Sequence, residues 1–233
     1  MTIEEYRERV AAARRIVFFG GAGVSTESGI PDFRSVDGLY NQKYDVPPEV
    51  ILSADYFYEH TDLFYKFYFD KMIFRSAGPN AAHKKLAQWE SEGKLLAVIT
   101  QNIDGLHQAA GSKNVLELHG TTLSNHCIRC GKKYTLDEVC AHAPAVPKCS
   151  CGGIIKPDVV LYGEALPDDA VYGAVDAIAS ADMLIVGGTS LSVYPAAGFI
   201  SHYRGNTDNL IVINKTHIDR FPNQLNGNLG ELL

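Results

Sequence analysis

Short apolar runs alternate with helical patterns along the chain of 233 residues. Each apolar run is continuous, a pattern typical of parallel strands that helices cover on both faces. The pattern predicts strands at residues 16–19, 95–100, 115–118, 159–162, 183–187 and 210–214. It predicts helices at residues 3–15, 54–74, 80–92, 168–179 and 195–203. Strands that alternate with helices indicate a doubly wound α/β sheet.

Two segments interrupt this alternation. Residues 29–68 are rich in proline, aspartate and aromatic residues, and residues 126–155 contain the cysteines. We interpret both segments as excursions from the sheet that together form a smaller lobe. Neither an internal repeat nor a low-complexity tract is present in the sequence.

Composition excludes some classes of protein. Apolar residues make up 46% and charged residues 21% of the chain, which is ordinary for a globular protein. No apolar run approaches the roughly 20 residues that span a bilayer, and the N-terminus has the pattern of a charged amphipathic helix rather than a secretory signal. We therefore expect a soluble cytoplasmic protein. The net charge of −6 argues against nonspecific binding to nucleic acid.

A glycine-containing turn follows the first predicted strand, in the stretch FFGGAGVSTESGIPDFRS. Glycines at this place let the backbone approach a phosphate, although a simple tight turn would have the same pattern. The third glycine of a dinucleotide fingerprint is missing, and the later stretch GLYNQKYD does not have the pattern of a strand that ends in an acidic residue. A dehydrogenase that transfers hydride is therefore disfavoured.

Polar residues follow four of the other predicted strands. Gln101, Asn102 and Asp104 come after the second, and His119 comes after the third. Gly188, Thr189 and Ser190 follow the strand at residues 183–187, and Asn214 ends the strand at residues 210–214. Ligands of open parallel sheets bind at the carboxyl ends of strands, and imidazole suits proton transfer near neutral pH. A polar turn that caps a helix, or a structural histidine, is the alternative interpretation of the second and third groups.

The cysteines form two close pairs, Cys127-x-x-Cys130 and Cys149-x-Cys151. Two thiolate pairs are typical of a closed structural zinc site, and free thiols or a redox pair are the alternative. The second pair is one residue shorter than the usual spacing, which Gly152 and Gly153 would permit through unusual backbone turns. Cys140 lies on a predicted helix between the pairs, where we expect it to be a buried apolar residue.

Taken together and in this order, these stretches resemble the sirtuins, the NAD-dependent protein lysine deacylases. The matching stretches are GAGVSTESGIPDFR, TQNIDGLH, ELHG, the cysteine pairs, KPDVVLYGE, GTSLSVYPAA and VIN. They extend over residues 18–214, and the short chain resembles a bacterial member of the family.

The resemblance implies a single catalytic domain over residues 1–233, with a sirtuin-like, deoxyhypusine-synthase-like NAD-binding fold. A Rossmann-like lobe would comprise residues 1–30, 76–122 and 156–233. The small zinc-binding and helical lobe would comprise a helical insert at residues 31–75 and a zinc module at residues 123–155. One structural Zn²⁺ per chain would be bound by Cys127, Cys130, Cys149 and Cys151.

The resemblance also implies the roles of individual residues. The residues implied to bind NAD are Gly21, Ala22, Gly23, Thr26, Phe33, Arg34, Gln101, Asn102, Ile103, Asp104, Gly188, Thr189, Ser190 and Asn214. Those implied to line the acyl-lysine tunnel and its flanking peptide strands are Val160, Tyr162 and Val193. Those implied to take part in catalysis are His119, Asn102 and Asp104.

The implied reaction uses NAD as an electrophile. The acyl oxygen attacks C1′ of the nicotinamide ribose as nicotinamide leaves, and His119 acts as general base through the ribose hydroxyls. The 2′-hydroxyl then attacks the resulting imidate, and addition of water and collapse release the products, which are free lysine, nicotinamide and O-acetyl-ADP-ribose. The implied partners are peptides or proteins with acylated lysines, without specific nucleic acid or a membrane, and we expect a monomer. ADP-ribosyl transfer from the same site and a non-catalytic NAD or zinc module are the alternatives.

A pair of residues in the helical insert indicates which acyl group the enzyme would prefer. Family members that prefer succinyl or malonyl lysine carry a tyrosine and an arginine three residues apart. The corresponding pair here is Tyr65 and Tyr68 or, in the alternative register, Tyr68 and Lys71. Neither pair offers the guanidinium that binds a carboxylate through two hydrogen bonds, so we expect acetyl or another uncharged acyl group.

Overall fold

The fold is a parallel sheet with helices on both faces and a smaller antiparallel sheet beside it. The computed structural model describes residues 1–33, 38–41 and 44–233. Six parallel strands form the larger sheet in the order β3-β2-β1-β7-β8-β9, and three antiparallel strands form the smaller sheet in the order β5-β4-β6. The predicted doubly wound α/β class is therefore confirmed.

The strands are β1 Ile16–Gly20, β2 Leu95–Thr100, β3 Val115–Glu117, β4 Gly120–Cys127, β5 Lys133–Thr135, β6 Ile155–Val159, β7 Met183–Gly187, β8 Leu210–Asn214 and β9 Gln224–Asn226. The helices are α1 Ile3–Ala12, α2 Pro48–Ile51, α3 Ala54–Glu59, α4 Thr61–Lys71, α5 Ala81–Ser91, α6 Leu106–Ala109, α7 Leu136–Cys140, α8 Asp168–Ser180 and α9 Leu229–Leu232. Short 3₁₀ helices lie at Ala22–Val24, Thr26–Ser28, Leu39–Asn41, Ala196–His202 and Thr207–Asn209.

Strand β1 shows why the apolar runs are continuous. Ile16 and Phe18 face one side of the sheet, in a buried cluster with residues of α1, α5 and α9. Val17 and Phe19 face the other side and pack in a second cluster with residues of α8 and of the 3₁₀ helix at Ala196–His202. Successive side chains of a strand point to opposite faces, so a strand covered on both faces has no polar position.

Two predicted helices differ from the observed ones. The helix predicted at residues 54–74 is two helices, α3 and α4, because His60 leaves the helical region with φ −133° and ψ 50°. The hydroxyl of Thr61 donates to the carbonyl of Phe57 at 2.7 Å, a local bond that competes with continuation of the helix. The helix predicted at residues 195–203 is a 3₁₀ helix.

The prediction that residues 159–162 form a strand of the parallel sheet is wrong. Strand β6 ends at Val159 and pairs with β4 in the small antiparallel sheet. The segment is apolar because Val159 and Leu161 pack in an aromatic cluster with residues of α3 and α4. Burial against helices and burial inside a parallel sheet produce the same apolar run, so the sequence pattern does not distinguish them.

The aromatic cluster forms the core of the helical insert. Phe57, Phe64, Tyr65 and Tyr68 are all almost completely buried. Phe64 stacks on Tyr68 with ring centroids 5.6 Å apart, and its ring meets that of Phe57 edge to face at 4.9 Å. Such arrangements add about 0.5–1.5 kcal/mol per pair beyond area burial.

Among the described residues, no helix is long and apolar enough to cross a membrane.

Candidate active site

A cavity of about 530 Å³ opens at the carboxyl ends of the parallel strands. The residues predicted to bind NAD or peptide, or to act in catalysis, meet in its lining wherever the structure describes them. These are Gly21, Ala22, Gly23, Thr26, Phe33, Gln101, Asn102, Ile103, Asp104, His119, Val160, Tyr162, Gly188, Thr189, Ser190, Val193 and Asn214. The predicted residue Arg34 lies outside the described residues. A volume of this size is typical of small-molecule sites.

Two glycine loops touch at the base of the cavity. The N–H of Gly23 donates to the carbonyl of Gly188 at 2.8 Å, and that of Gly21 donates to Gly187 at 3.1 Å. A Cβ atom on Gly23 would lie 2.7 Å from the Cα of Gly188, closer than real Cβ contacts. The two backbones can therefore meet only without side chains, which leaves polar backbone close to any ligand above them.

A buried serine joins two of the three polar residues predicted after β2. The hydroxyl of Ser25 donates to Oδ2 of Asp104 at 2.6 Å and accepts from Nδ2 of Asn102 at 3.0 Å. Oδ1 of Asp104 accepts the N–H of Leu106 at 2.9 Å, so Asp104 also caps the turn that leads into α6. The functional and the capping interpretations of this residue are thus compatible. Both carboxylate oxygens are held by hydrogen bonds, which orients the side chain.

Ser25 is a residue that the sequence analysis missed. It is only 1% exposed, and it lies beside the predicted ligand Thr26, whose hydroxyl donates to the carbonyl of Gly23 at 3.1 Å. The available signal was the pair of hydroxyl residues directly after the glycine turn. Which of the two hydroxyls faces Asn102 depends on the 3₁₀ turns of this loop rather than on composition.

His119 is held in one tautomer by the backbone. Its Nδ1 lies 2.9 Å from the carbonyl oxygen of Gln101. A carbonyl can only accept, so Nδ1 carries the proton and Nε2 keeps a free lone pair when the ring is neutral. Burial lowers the pKa of His119, and the hydrogen bond to Gln101 opposes that effect. The side chain is therefore neutral and basic at Nε2 near pH 7.

A chain of side-chain hydrogen bonds links the ends of β2, β7 and β8. Nε2 of Gln101 donates to Oγ1 of Thr189 at 3.2 Å. Asn214 then clamps the backbone of Thr189, accepting its N–H at 3.1 Å and donating to its carbonyl at 2.7 Å. The loop after β7 is consequently fixed relative to the ends of both β2 and β8.

The residues predicted to contact peptide line the same cavity as His119. The N–H of Val160 donates to the carbonyl of His119 at 2.9 Å. Tyr162 is 39% exposed, and its hydroxyl lies 2.7 Å from that of Tyr40. Val193 lines the same cavity from the loop after β7.

The cavity also contains residues from the C-terminal part of the chain, which the sequence analysis left unassigned. These are Lys215, Thr216, Gly227 and Leu229. The first two directly follow β8, and this strand-end position was a usable signal. The other two reach the cavity only because β9 and α9 pack back onto the sheet.

The aromatic pair considered for acyl selectivity lies away from the cavity. Tyr65 and Tyr68 are buried in the core of the helical insert, and the hydroxyl of Tyr65 donates to the carbonyl of Ile155. Lys71, one turn further along α4, does line the cavity, and its Nζ lies 3.1 Å from a carboxylate oxygen of Asp70. Lys71 of the alternative register therefore lines the cavity, whereas Tyr68, which belongs to both registers, does not.

The two cysteine pairs come together at one point. The Sγ atoms of Cys127, Cys130, Cys149 and Cys151 all lie within 4.8 Å of one another. The Cys127–Cys151 and Cys130–Cys149 Sγ separations are 3.5 and 3.6 Å. Sulfurs about 2.3 Å from a tetrahedral zinc ion lie about 3.8 Å apart, so the set fits the ion. The four cysteines are positioned to bind one metal ion, consistent with structural zinc.

The shortened second pair is accommodated by glycine, as predicted. Gly152 has φ +83°, and a Cβ atom on Gly153 would lie 2.6 Å from the Sγ of Cys127. The N–H of Cys151 points to the Sγ of Cys149 at 3.5 Å, and this contact is the largest of several hydrogen bonds that lower the pKa of Cys149 to about 6. The prediction that Cys140 is buried is wrong, because it ends α7 in a half-buried position outside the cluster.

Comparison with known proteins identifies the family. Residues 21–195 match the family model described as "Sir2 family". The chain belongs to the Sir2 family. The resemblance inferred from the sequence is therefore confirmed.

Sir2-family relatives cover nearly the whole chain. A protein of Clostridium acetobutylicum named NAD-dependent protein deacetylase is 58% identical, over 92% of this chain and 88% of its own length. One of Cutibacterium acnes with the same name is 49% identical over the same shares of the two chains.

Solved structures extend the comparison to three dimensions. A Sir2 variant solved with a deacetylated p53 peptide and 3′-O-acetyl ADP ribose is 40% identical, with a TM-score of 0.89 over 99% of this chain and 95% of that chain. Sir2Tm, solved with a propionylated peptide, is 38% identical, with a TM-score of 0.85 over the same shares.

Two buried histidines pack against each other in this Sir2 protein, and one of them is close enough to Asp104 to be affected by its charge. His83 and His107 are 0% and 1% exposed, with ring centroids 4.7 Å apart. Within the described ranges, Nε2 of His83 and both ring nitrogens of His107 find no hydrogen-bond partner. Burial and, to a smaller extent, the neighbouring His83 together lower the pKa of His107 to about 3. Burial also lowers the pKa of His83, against the attraction of Asp104 and Glu27.

We expect metal binding to depend on Cys149 but not on Cys140. Cys149→Ser should reduce the zinc content from one ion per chain to near zero and lower the melting temperature, because structural zinc contributes directly to folding. Elemental analysis and thermal melts, with and without chelator, measure both effects. Cys140→Ser is the matched control and should keep its zinc. Full zinc content in Cys149→Ser would contradict the assignment.

We expect His107 to make the fold sensitive to acid. The unfolded chain binds a proton at this residue below pH 6.5, whereas the folded chain does so only near pH 3, so stability is lost as the pH falls. Between pH 7 and pH 5, the wild type should lose about 2 kcal/mol more than His107→Leu. Denaturant titrations at the two pH values measure the difference.

The exposed His202 supplies the control for this experiment. His202→Leu should show the same loss of stability with pH as the wild type. Parallel stability curves for wild type and His107→Leu would show that the buried ring takes up no extra proton on unfolding.

Proposed function

We propose that this chain is an NAD-dependent protein lysine deacetylase, which removes acetyl groups from lysine side chains and releases nicotinamide and O-acetyl-ADP-ribose. The observation that carries the proposal is the position of His119. Its ring is neutral, offers Nε2 as a base, and lies in one cavity between two glycine loops and the segment with Val160 and Tyr162. The names of the relatives and the peptides bound in related structures support the same reaction.

The glycine loops and the strand ends would hold NAD. The backbone at Gly21, Ala22 and Gly23 would face the pyrophosphate, and Thr189, Ser190 and Asn214 would hold the adenosine half. In this proposal, residues 1–30, 76–122 and 156–233 form the NAD-binding lobe, and residues 31–75 and 123–155 form the small lobe. NAD, when bound, supplies an electrophilic C1′ at the nicotinamide ribose.

The residues beside His119 would orient the nicotinamide half. Asn102 and Asp104, fixed by Ser25, would bind near the ribose and the carboxamide, with Gln101 and Ile103 around them. His119 would remove a proton from the ribose hydroxyls through Nε2. Phe33, whose ring centroid lies 5.2 Å from that of Tyr40, would exclude water from the ribose, together with Arg34.

Acylated lysine would enter from the side opposite NAD, along Val160, Tyr162 and Val193. Peptides that add a strand to a protein gain affinity from main-chain hydrogen bonds, and pockets for alternate side chains supply specificity. Zinc would be structural, because four thiolates close its coordination sphere. The proposal includes a cytoplasmic monomer that acts on acylated proteins without binding nucleic acid or membranes.

We expect His119→Ala to fold normally and to lose activity. General-base catalysis contributes about 100- to 10,000-fold, so deacetylation should fall by at least about 100-fold. Mass spectrometry of an acetyl-lysine peptide incubated with NAD measures the activity, and circular dichroism checks the fold. The exposed His202→Ala is the matched control and should retain activity. A folded His119→Ala protein with near-normal deacetylation would refute the assigned role.

The same assay tests the alternative of ADP-ribosyl transfer. Release of nicotinamide should require the acetylated peptide, because the acyl oxygen is the nucleophile. Nicotinamide release that proceeds equally well without the peptide would favour transfer to another nucleophile.

We expect the enzyme to prefer acetyl-lysine over succinyl-lysine. Tyr65 and Tyr68 are buried in the core, and the cation that lines the cavity, Lys71, is already close to Asp70. Neither arrangement offers a carboxylate two parallel hydrogen bonds. Values of kcat/KM for peptides that differ only in the acyl group measure the preference. A higher value for succinyl-lysine would show that Lys71 performs the role of an arginine.

A further inference from the structure

Residues 160–164 form a short segment in which four of the five backbone N–H groups donate hydrogen bonds. Val160 donates its N–H to His119, and Tyr162 donates to the carbonyl of Leu52 at 3.0 Å. The carbonyl of Tyr162 accepts from Ala54 at 2.9 Å. The loop after β3 thus holds the beginning of the segment. Leu52 and Ala54 of the helical insert hold its middle.

The end of the segment depends on one carboxylate. Glu164 donates its N–H to the carbonyl of Leu161 at 2.9 Å, which closes a turn. Its side chain reaches back, and Oε2 accepts the N–H of Leu161 at 2.8 Å. The turn therefore keeps its shape only while this carboxylate stays in place.

A buried lysine holds that carboxylate. Nζ of Lys156 lies 3.1 Å from the same Oε2 of Glu164 and donates to the carbonyl of Val159 at 3.2 Å. The lysine side chain is 8% exposed and that of Glu164 27%. Nζ also lies 6.0 Å from the ring centroid of Phe57, within the range of a cation–π contact. Lys156 thereby connects β6 and the aromatic cluster to the turn.

A buried ion pair of this kind is weak evidence for stability. Desolvation of the two charges offsets most of their attraction, whereas removal of one partner leaves the other charge buried and uncompensated. Such a pair can instead select one conformation of the chain around it. Here that conformation places Val160 and Tyr162 in the cavity wall.

We propose that Lys156 and Glu164 are positioning residues for the acylated peptide: their buried ion pair fixes the turn at residues 161–164 and with it the peptide-facing segment. This inference rests on the proposed deacetylase function. Neither residue needs to touch the reacting atoms. NAD would bind the glycine loops and strand ends on the far side of His119, so its binding should not depend on the pair.

The experiment compares Lys156→Met, Glu164→Gln and the double variant with the wild type. Met keeps the bulk of the lysine stem without its charge, and Gln keeps an acceptor for the N–H of Leu161. Lys133→Met is the matched control, because the exposed Lys133 lies on the same small sheet and pairs with Asp158 at 3.4 Å. Steady-state kinetics are measured with acetyl-lysine peptide and NAD varied separately.

We expect KM for the peptide to rise at least about tenfold in Lys156→Met and Glu164→Gln, with KM for NAD and kcat changed by less than about threefold. Glu164→Gln should be the more impaired variant, because it leaves the buried ammonium unpaired, and the double variant should recover part of the loss. Lys133→Met should match the wild type. An unchanged peptide KM, or an equal rise of both KM values, would overturn the proposal.

Hydrogen exchange in the absence of substrates separates this inference from the proposed function. The amides of Val160, Leu161 and Tyr162 should exchange at least about tenfold faster in the variants, while amides of β2 and β7 keep their protection. If the wild type shows no deacetylation, the proposed function fails, and faster exchange still establishes that the ion pair holds the segment. Unchanged exchange in folded Glu164→Gln and Lys156→Met would refute the positioning role. If Lys156→Met does not fold, the double variant, without the unpaired charge, supplies the measurement.

Discussion

The backbone contact between the two glycine loops is the constraint on which the site depends. Gly23 and Gly188 approach so closely that neither position has room for a side chain. Because β1 and β7 are neighbours in register, their loops leave the sheet side by side and must meet at this point. The contact lets Gln101, Thr189 and Asn214 form one hydrogen-bonded chain across three strand ends. At this base the cavity presents backbone and small polar side chains such as Thr189 and Ser190.

The cavity has two walls of different origin. Strand ends of the parallel sheet supply one wall, in which His119 is oriented by a backbone carbonyl and Asp104 by two hydrogen bonds. The small sheet and the helical insert supply the other. That wall is held by an aromatic cluster, by a set of four thiols that fits one metal ion, and by the buried pair of Lys156 and Glu164. His119 lies where the two walls meet, because its own carbonyl accepts the N–H of Val160.

Several buried polar groups in this molecule contribute specificity of conformation more than stability. Desolvation of Lys156 and Glu164 costs free energy, and burial lowers the pKa of both His83 and His107 below the ordinary value for histidine. Glu164 itself lines the cavity, whereas Lys156, His83 and His107 do not. The arrangement makes the site sensitive to substitutions and to pH at positions that adjoin its lining.

The sequence determined the chemistry because the decisive residues are local patterns. Glycines after β1, the polar run after β2, His119 after β3 and the two cysteine pairs could each be recognised within a few neighbouring residues. Strands covered on both faces were also recognisable, since their apolar runs are continuous. All but one of the predicted strands lie in the parallel sheet, and the predicted site residues that the structure describes meet in one cavity.

Only the tertiary structure decided which neighbours those residues have. It assigned residues 155–159 to the antiparallel sheet, showed that Ser25 joins Asn102 and Asp104, and placed Lys71 rather than Tyr65 at the cavity. It also brought the distant Leu229 to the site. An apolar or polar pattern records whether a position is buried, but the identity of its partner depends on packing between segments far apart in the chain, which no local pattern contains.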